Sequence, residues 1–144
     1  MKNKILVAVD GSETGNRAIE VAAQAAEEAG DGIVLAYVIE WTPYSFHTPE
    51  ELAERHKRRE SEISRAEQSM LAPAAAKISA KNIDVETVVR HGHIGETLSD
   101  IAREYKVSQV YIGRRGESKM QTMLFGSVTA SLIQTSSVPV TVVP

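Results

Sequence analysis

Gln109-Val110-Tyr111-Ile112-Gly113-Arg114-Arg115-Gly116, then nine residues, then Gly126-Ser127-Val128, is the stretch on which the fold turns. A short β-rich run closes on a glycine, and Val128 to Thr135 reads as a helix, so a strand leads through a glycine-bearing connection into a helix. Outward from this unit the same alternation recurs. Lys4 to Asp10 is a first strand, and Ala18, Ala22, Ala25 and Ala29 follow at helical spacing, forming a small-residue face that can lie close on a sheet. Gly30 ends that helix. Ile33 to Ile39 is almost wholly apolar, as expected of a central strand covered on both faces.

After a loop around Trp41 to His47, Thr48-Pro49-Glu50-Glu51 supplies a cap, a first-turn proline and the acidic residue of a capping box. The long helix that starts there carries a thin apolar stripe of Leu52, Ile63, Ala66 and Met70, and Pro73 predicts a break near Ala72. Asp84 to Arg90 is a third strand. Ile94 to Lys106 is a helix with Ile94, Leu98, Ile101 and Tyr105 on one side. The last strand, Val138 to Val143, contains Pro139 near its start, which assigns it to a sheet edge. Five strands alternating with helices favour a parallel sheet with crossover helices.

The composition limits what such a domain can do. At 144 residues and 42 % hydrophobic content, one domain can bury its own core. A formal charge of −3 creates no global basic field, so no nucleic-acid partner is expected. The absence of cysteine removes disulfides, thiol nucleophiles and zinc-thiolate sites. No run approaches the roughly 20 apolar residues that span a bilayer, so a cytoplasmic protein without a membrane partner is expected.

Glycines at a strand end admit main-chain N–H groups close to an anion, and a helix opened by Gly126-Ser127 presents free N–H groups and a favourable dipole to phosphate. Ser127 can cap that helix or donate its hydroxyl. In a doubly wound sheet of order 3-2-1-4-5, ligands sit where the order reverses, between the first and fourth strands. Those strands end at Asp10 and Gly113. Phosphates would repel the Asp10 carboxylate, which is therefore better placed at the base or sugar end, and an adenine nucleotide fits that polarity.

Taken together, Gly113-x2-Gly116-x9-Gly126-Ser127, the opening Val7-Ala8-Val9-Asp10-Gly11-Ser12 and the closing Val138-Pro139-Val140-Thr141-Val142-Val143 resemble the ATP-binding branch of the universal stress proteins. The resemblance spans the whole chain as a single domain. It implies a flavodoxin-like, Rossmann-like three-layer α/β fold with a five-stranded parallel sheet of order 3-2-1-4-5. It implies ATP as a bound ligand, with or without Mg2+, and a nucleotide-dependent stress-response role for a regulated partner that the sequence does not identify. Asp10 and Val38 would hold adenine, with Ala8 and Val9 lining its pocket. Ile112 and Gly113 would border ribose and triphosphate. Gly116, Gly126, Ser127, Val128 and Thr129 would wrap the phosphates. The segment from Glu117 to Met123 carries Lys119 as its one cation, so Arg114 and Arg115 are the compensating charges, and Arg115 is counted with the site. The resemblance also implies a homodimer through the final strand.

Other readings compete. Ser12-Glu13-Thr14-Gly15-Asn16 partly resembles the hydroxyl-rich phosphate loop of a flavodoxin-like FMN electron carrier. An ATP-splitting enzyme of the same fold group would need motifs absent after the first strand, and no Walker lysine occurs, so at most slow hydrolysis is expected. A phosphoacceptor receiver domain fails at Arg90 and Pro144, where an aspartate and a lysine are required. His91-Gly92-His93 reads as turn residues rather than metal ligands. His56-Lys57-Arg58-Arg59, bracketed by glutamates, reads as a solvated helix face. Trp41, Tyr44 and Phe46 suggest a lid, a partner surface or burial against the long helix.

Overall fold

The computed structural model describes residues 2–40, 48–115 and 126–144. The expectations for the Trp41 to His47 loop and for Gly116 fall outside those residues. In chain order the elements are β1 (Lys4–Ala8), α1 (Glu13–Ala29), β2 (Gly32–Glu40) and α2 (Pro49–Ala66). A π-helical turn (Glu67–Leu71) leads into α3 (Ala72–Ser79), followed by β3 (Val85–Gly92), α4 (Ile94–Glu104), β4 (Gln109–Gly113), α5 (Ser127–Thr135) and β5 (Val140–Val143). All neighbouring strands are parallel, as the alternation predicts, and their order is β3-β2-β1-β4-β5, as the resemblance implies.

Strand alternation divides the core in two. Ile5, Val7, Val9, Ile33 and Leu35 face α1 and the α3 side. Leu6, Ala8, Val34, Ala36 and Val38 face α4 and α5. Both faces of β1 and β2 are therefore covered, which is why these strands read as unbroken apolar runs. β1 stops at Ala8, two residues short of Asp10, although Val9 N–H still donates to Ala36 C=O (2.8 Å).

α1 is capped by Ser12, whose hydroxyl accepts from Gly15 N–H, and ends on Gly30 at φ 75°. Its buried arc is turned toward Ala22, Ala23 and Ala26. Ala29, expected on that face, lies in the last turn beside Gly30 and is exposed. The α2 capping box forms as expected, with Thr48 and Glu51 exchanging bonds of 3.2 Å. The predicted stripe on α2 holds only at the helix's last residue: Leu52 is 51 % and Ile63 37 % exposed, whereas Ala66 is buried. A segment charged all round, as from Glu50 to Glu62, has no face it can remove from water cheaply. The break near Ala72 takes the form of the π-helical turn. Ala72 N–H bonds back to Glu67 C=O, and Pro73 enters the first turn of α3, where its missing N–H is no loss.

β3 runs on through His91 and Gly92, which pair with Ile39 and Glu40, so the turn reading of these two residues is corrected. Their neighbours on β2 supply the pairing that local composition does not advertise. His91 Nε2 meets Glu62 Oε2 at 2.9 Å, fastening α2 to this edge strand. β5 occupies the other edge, as Pro139 predicts, and begins just after that proline, whose C=O accepts from Val110 N–H (2.9 Å).

Candidate functional site

β1 and β4 are neighbours, and β2 and β5 lie outside them, so the sheet order reverses where β1 and β4 end. Beyond those ends lies a cleft of about 380 Å3. Its floor comes from the strand ends: Ala8, Val9 and Asp10 after β1, Ala36 and Val38 on β2, Ile112 and Gly113 on β4. The first turn of α5, Gly126, Ser127, Val128 and Thr129, forms one wall. Ten of the twelve residues expected at the site therefore line one space. Arg115 does not line it, and Gly116 is outside the described residues.

At the β1 end, Gly11 turns at φ 78°, and Asp10 Oδ1 accepts from both Ser12 N–H (2.9 Å) and the Ser12 hydroxyl. Asp10 thus braces the start of α1 and also borders the cleft. Ala36 directs its C=O toward Val9. Main-chain groups two residues apart in a strand point the same way, so those of Val38 face past the last rung of β1, at the cleft. The side chains of Ala36, Val38 and Glu40 share a face for the same reason. Among the described lining residues, Asp10 and Glu40 are the charged ones, and both stand at the β1–β2 end.

The α5 end has the opposite character. Gly126 is the N-cap, at φ −63° and ψ 156°, and provides no side-chain cap to the amides of the first turn. Ser127 is the first helical residue and not the cap, which corrects its expected capping role. Thr129 is buried, and its hydroxyl donates to Gly113 C=O (2.8 Å). That hydrogen is spent on joining α5 to β4 and is not free for a ligand. The helix start is thus fixed against β4 with its N–H groups and dipole aimed at the cleft.

Gly113 needs its lack of a side chain for another reason than anion access. A Cβ there would lie 2.7 Å from Thr14 C and Gly15 N, so the glycine permits α1 to press on the end of β4. The hydroxyls of the supposed FMN loop are committed within the chain. Ser12 caps α1 and braces Asp10, Thr14 donates to Arg115 C=O, and Arg17 Nε donates to Pro144 C=O (2.6 Å).

Sequence reasoning missed Ala36, Tyr37, Glu40, Ile94 and Leu98 as lining residues. Ile94 and Leu98 carried a legible signal: four residues apart at the start of α4, they share the face turned to the strand ends. The β2 residues gave none, because nothing local marks where a neighbouring strand stops. Among the described residues, no three histidine, aspartate or glutamate side chains cluster to hold a metal, and no helix is long and apolar enough to cross a membrane.

A parallel sheet whose order reverses beside a cleft walled by a helix N-terminus defines a doubly wound α/β domain of the kind that binds ligands at its switch point. The chain belongs to the universal stress protein family, whose family model matches residues 1–144. It is 27 % identical over 150 residues to universal stress protein YxiE of Bacillus subtilis, covering 99 % of each. It is 31 % identical over 155 residues to universal stress protein Rv1996 of Mycobacterium tuberculosis, spanning 97 % of this chain and 47 % of that one, about half its length. Among solved structures, UspA from Lactobacillus plantarum shares the fold at a TM-score of 0.85 and 20 % identity, with 99 % and 97 % of the two chains covered. Two further structures share it at a TM-score of 0.64. One, from Archaeoglobus fulgidus, is in complex with dAMP (19 % identity; 100 % and 98 % covered), and the other is a universal stress protein in complex with cAMP (23 % identity; 99 % and 96 % covered).

Proposed function

We propose that this chain binds ATP in the cleft between β1, β4 and the start of α5, and acts as a nucleotide-dependent regulatory protein of the cytoplasm rather than as a fast catalyst. The observation that carries the reading is the cleft's polarity. Carboxylates and the Val38 main chain stand at one end, and an α5 start without a side-chain cap at the other. Adenine offers an acceptor at N1 beside an amino donor, which an exposed strand N–H and C=O can match. Guanine reverses that pattern. Triphosphate oxygens suit the N–H groups of the α5 start. Relatives crystallised with dAMP and cAMP add weight, since both ligands carry adenine and phosphate.

Magnesium would travel with the triphosphate. Asp10 stands at the adenine end and its Oδ1 already accepts two hydrogen bonds, so phosphate oxygens and water would supply the metal's ligands. Asp10 and Glu40 are the acidic side chains lining the cleft among the described residues, where no cation lines it, and fast phosphoryl transfer needs clustered cations, so the reading carries slow hydrolysis at most. The reading includes a homodimer joined through the final strand, Val138 to Val143, and an adenine nucleotide as the signal read by a regulated partner.

Freshly purified protein, heat-denatured, is expected to release adenine nucleotide detected by mass spectrometry. Gly126→Val is expected to abolish the release. Because φ −63° and ψ 156° suit any residue, this variant fills phosphate space without straining the backbone. Titration with ATP giving neither heat nor a shift in melting would refute the reading.

A further inference from the structure

The stretch from Ser12 to Asn16 contains a glycine that its backbone conformation does not call for. Gly15 is the third residue of α1 and is buried. Its backbone is helical, where alanine is the better residue. Of the atoms a Cβ there would meet, the nearest is Asp10 Oδ1, followed by Ser12 Oγ at 2.9 Å and Asp10 Cγ at 3.5 Å. The Asp10 carboxylate therefore takes the space a side chain at position 15 would need. The same turn holds it by hydrogen bonds. Ser12 N–H (2.9 Å) and the Ser12 hydroxyl both donate to Oδ1, and Gly15 N–H donates to Ser12 Oγ (3.0 Å), fixing the hydroxyl that makes the contact. That hydroxyl has a single hydrogen, and Arg115 C=O, at 3.4 Å, is the farther of its two acceptors. Among the described residues, every hydrogen bond to this carboxylate falls on Oδ1. Asp10 also lines the cleft, at the end away from the start of α5. Because a carboxylate is planar, holding Oδ1 also sets Oδ2.

We propose that Gly15 and Ser12 form a socket that positions Asp10 for the nucleotide: it keeps Oδ1 against the first turn of α1, so that Oδ2 is the oxygen that accepts a hydrogen bond from the adenosine end of the ligand. The inference rests on the ATP reading and deepens it. Neither Gly15 nor Ser12 lines the cleft, and their effect reaches the ligand through Asp10, which does. The nearest neighbours of a Cβ at position 15 are atoms of two side chains and none of the backbone, so it evicts the carboxylate and leaves α1 packed on the sheet. The adenosine end then loses its charged acceptor.

The test is calorimetric titration with ATP of the full chain, of its Gly15→Ala and Asp10→Ala variants, and of the double variant. Thermal melts at millimolar ATP read any affinity too weak for calorimetry. Gly15→Ala is expected to bind ATP roughly tenfold more weakly, as loss of one hydrogen bond to a charged acceptor gives. In the Asp10→Ala background the place of Oδ1 is open, and the same substitution is expected to change ATP affinity by less than about twofold. Ser12→Gly keeps a residue suited to the cap position and loses the hydroxyl, so it is expected to weaken ATP binding several-fold, with Ser12→Thr restoring it. Equal ATP affinity in Gly15→Ala and the unsubstituted chain overturns the proposal and leaves the ATP reading standing. An equal loss in both backgrounds does the same, because it marks an effect that does not pass through Asp10. Should Gly15→Ala fail to fold, Ser12→Gly in the same two backgrounds decides by the same criteria. An unsubstituted chain that binds no ATP overturns the ATP reading, and this inference with it.

Discussion

Gly113 joins both halves of the molecule at a single residue. Its C=O accepts from the Thr129 hydroxyl on the α5 side, while the place of its missing Cβ is taken by the first turn of α1 on the other side. Gly113→Ala must therefore push two backbones apart, because neither Thr14 C nor Gly15 N can rotate away as a side chain end can. The expected cost is roughly 1–3 kcal/mol of stability in the ligand-free protein, measured by urea denaturation. A glycine needed only to admit a ligand would leave ligand-free stability unchanged, so the measurement separates the two roles. Asp10 shows the same doubling. The sequence allowed it to be either a turn residue or a ligand group, and its carboxylate braces Ser12 while bordering the cleft.

Elements show which parts of the fold were legible. β1, β2 and β4 were, because residues buried on two faces must be apolar throughout, and such runs are hard to mistake. The end of β3 was not: His91 and Gly92, beyond the Arg90 at which the strand was expected to stop, owe their strand geometry to pairing with β2, a long-range cause that leaves no local trace. α2 was legible as a helix through its capping box, but of its thin apolar stripe Leu52 and Ile63 stay exposed, since two apolar residues among many charges do not make a core face. In the site, the contributions signalled by glycine could be read. Those made by strand length, Ala36, Tyr37 and Glu40, could not.

The tie between β3 and α4 gives a prediction at this scale. Arg90 Nη1 and Nη2 donate to Glu104 Oε1 and Oε2 at 2.9 and 2.6 Å. The hydrogen bond from Arg90 holds the Glu104 carboxyl below its usual range and raises Arg90 in return. A carboxyl lowered in the folded state adds stability that is present above its ordinary pKa and lost as pH falls through the lowered value. Both groups are largely exposed, so the effect is small and screened by salt. Thermal melts of the unsubstituted chain and Glu104→Gln are expected to differ slightly at neutral pH and to converge as pH falls through the lowered value, where Glu104 becomes protonated in the folded state as well.

For the whole molecule, the two sheet edges are unlike. β3 is braced by α2 through His91 and Glu62, while β5, short and apolar, presents an edge strand of the kind that pairs with another chain. Its register shows which groups are available. Pro139 C=O and Val143 C=O accept from Val110 on β4 and from Arg114 just after it, so the main-chain groups of Val140 and Val142 point to the open edge. A two-fold axis at that edge would set two copies of β5 antiparallel and repeat every contact. Val142→Pro removes an outward N–H without touching a bond to β4, and it does so twice per dimer. At ~1 kcal/mol for each lost hydrogen bond, dimer dissociation is expected to rise roughly 30-fold while the fold persists. Sedimentation equilibrium over a concentration series, with circular dichroism to check the fold, reads both. A folded Val142→Pro chain that associates as tightly as before would place the interface elsewhere than β5, and the proposed link between nucleotide and dimer would then need a different surface.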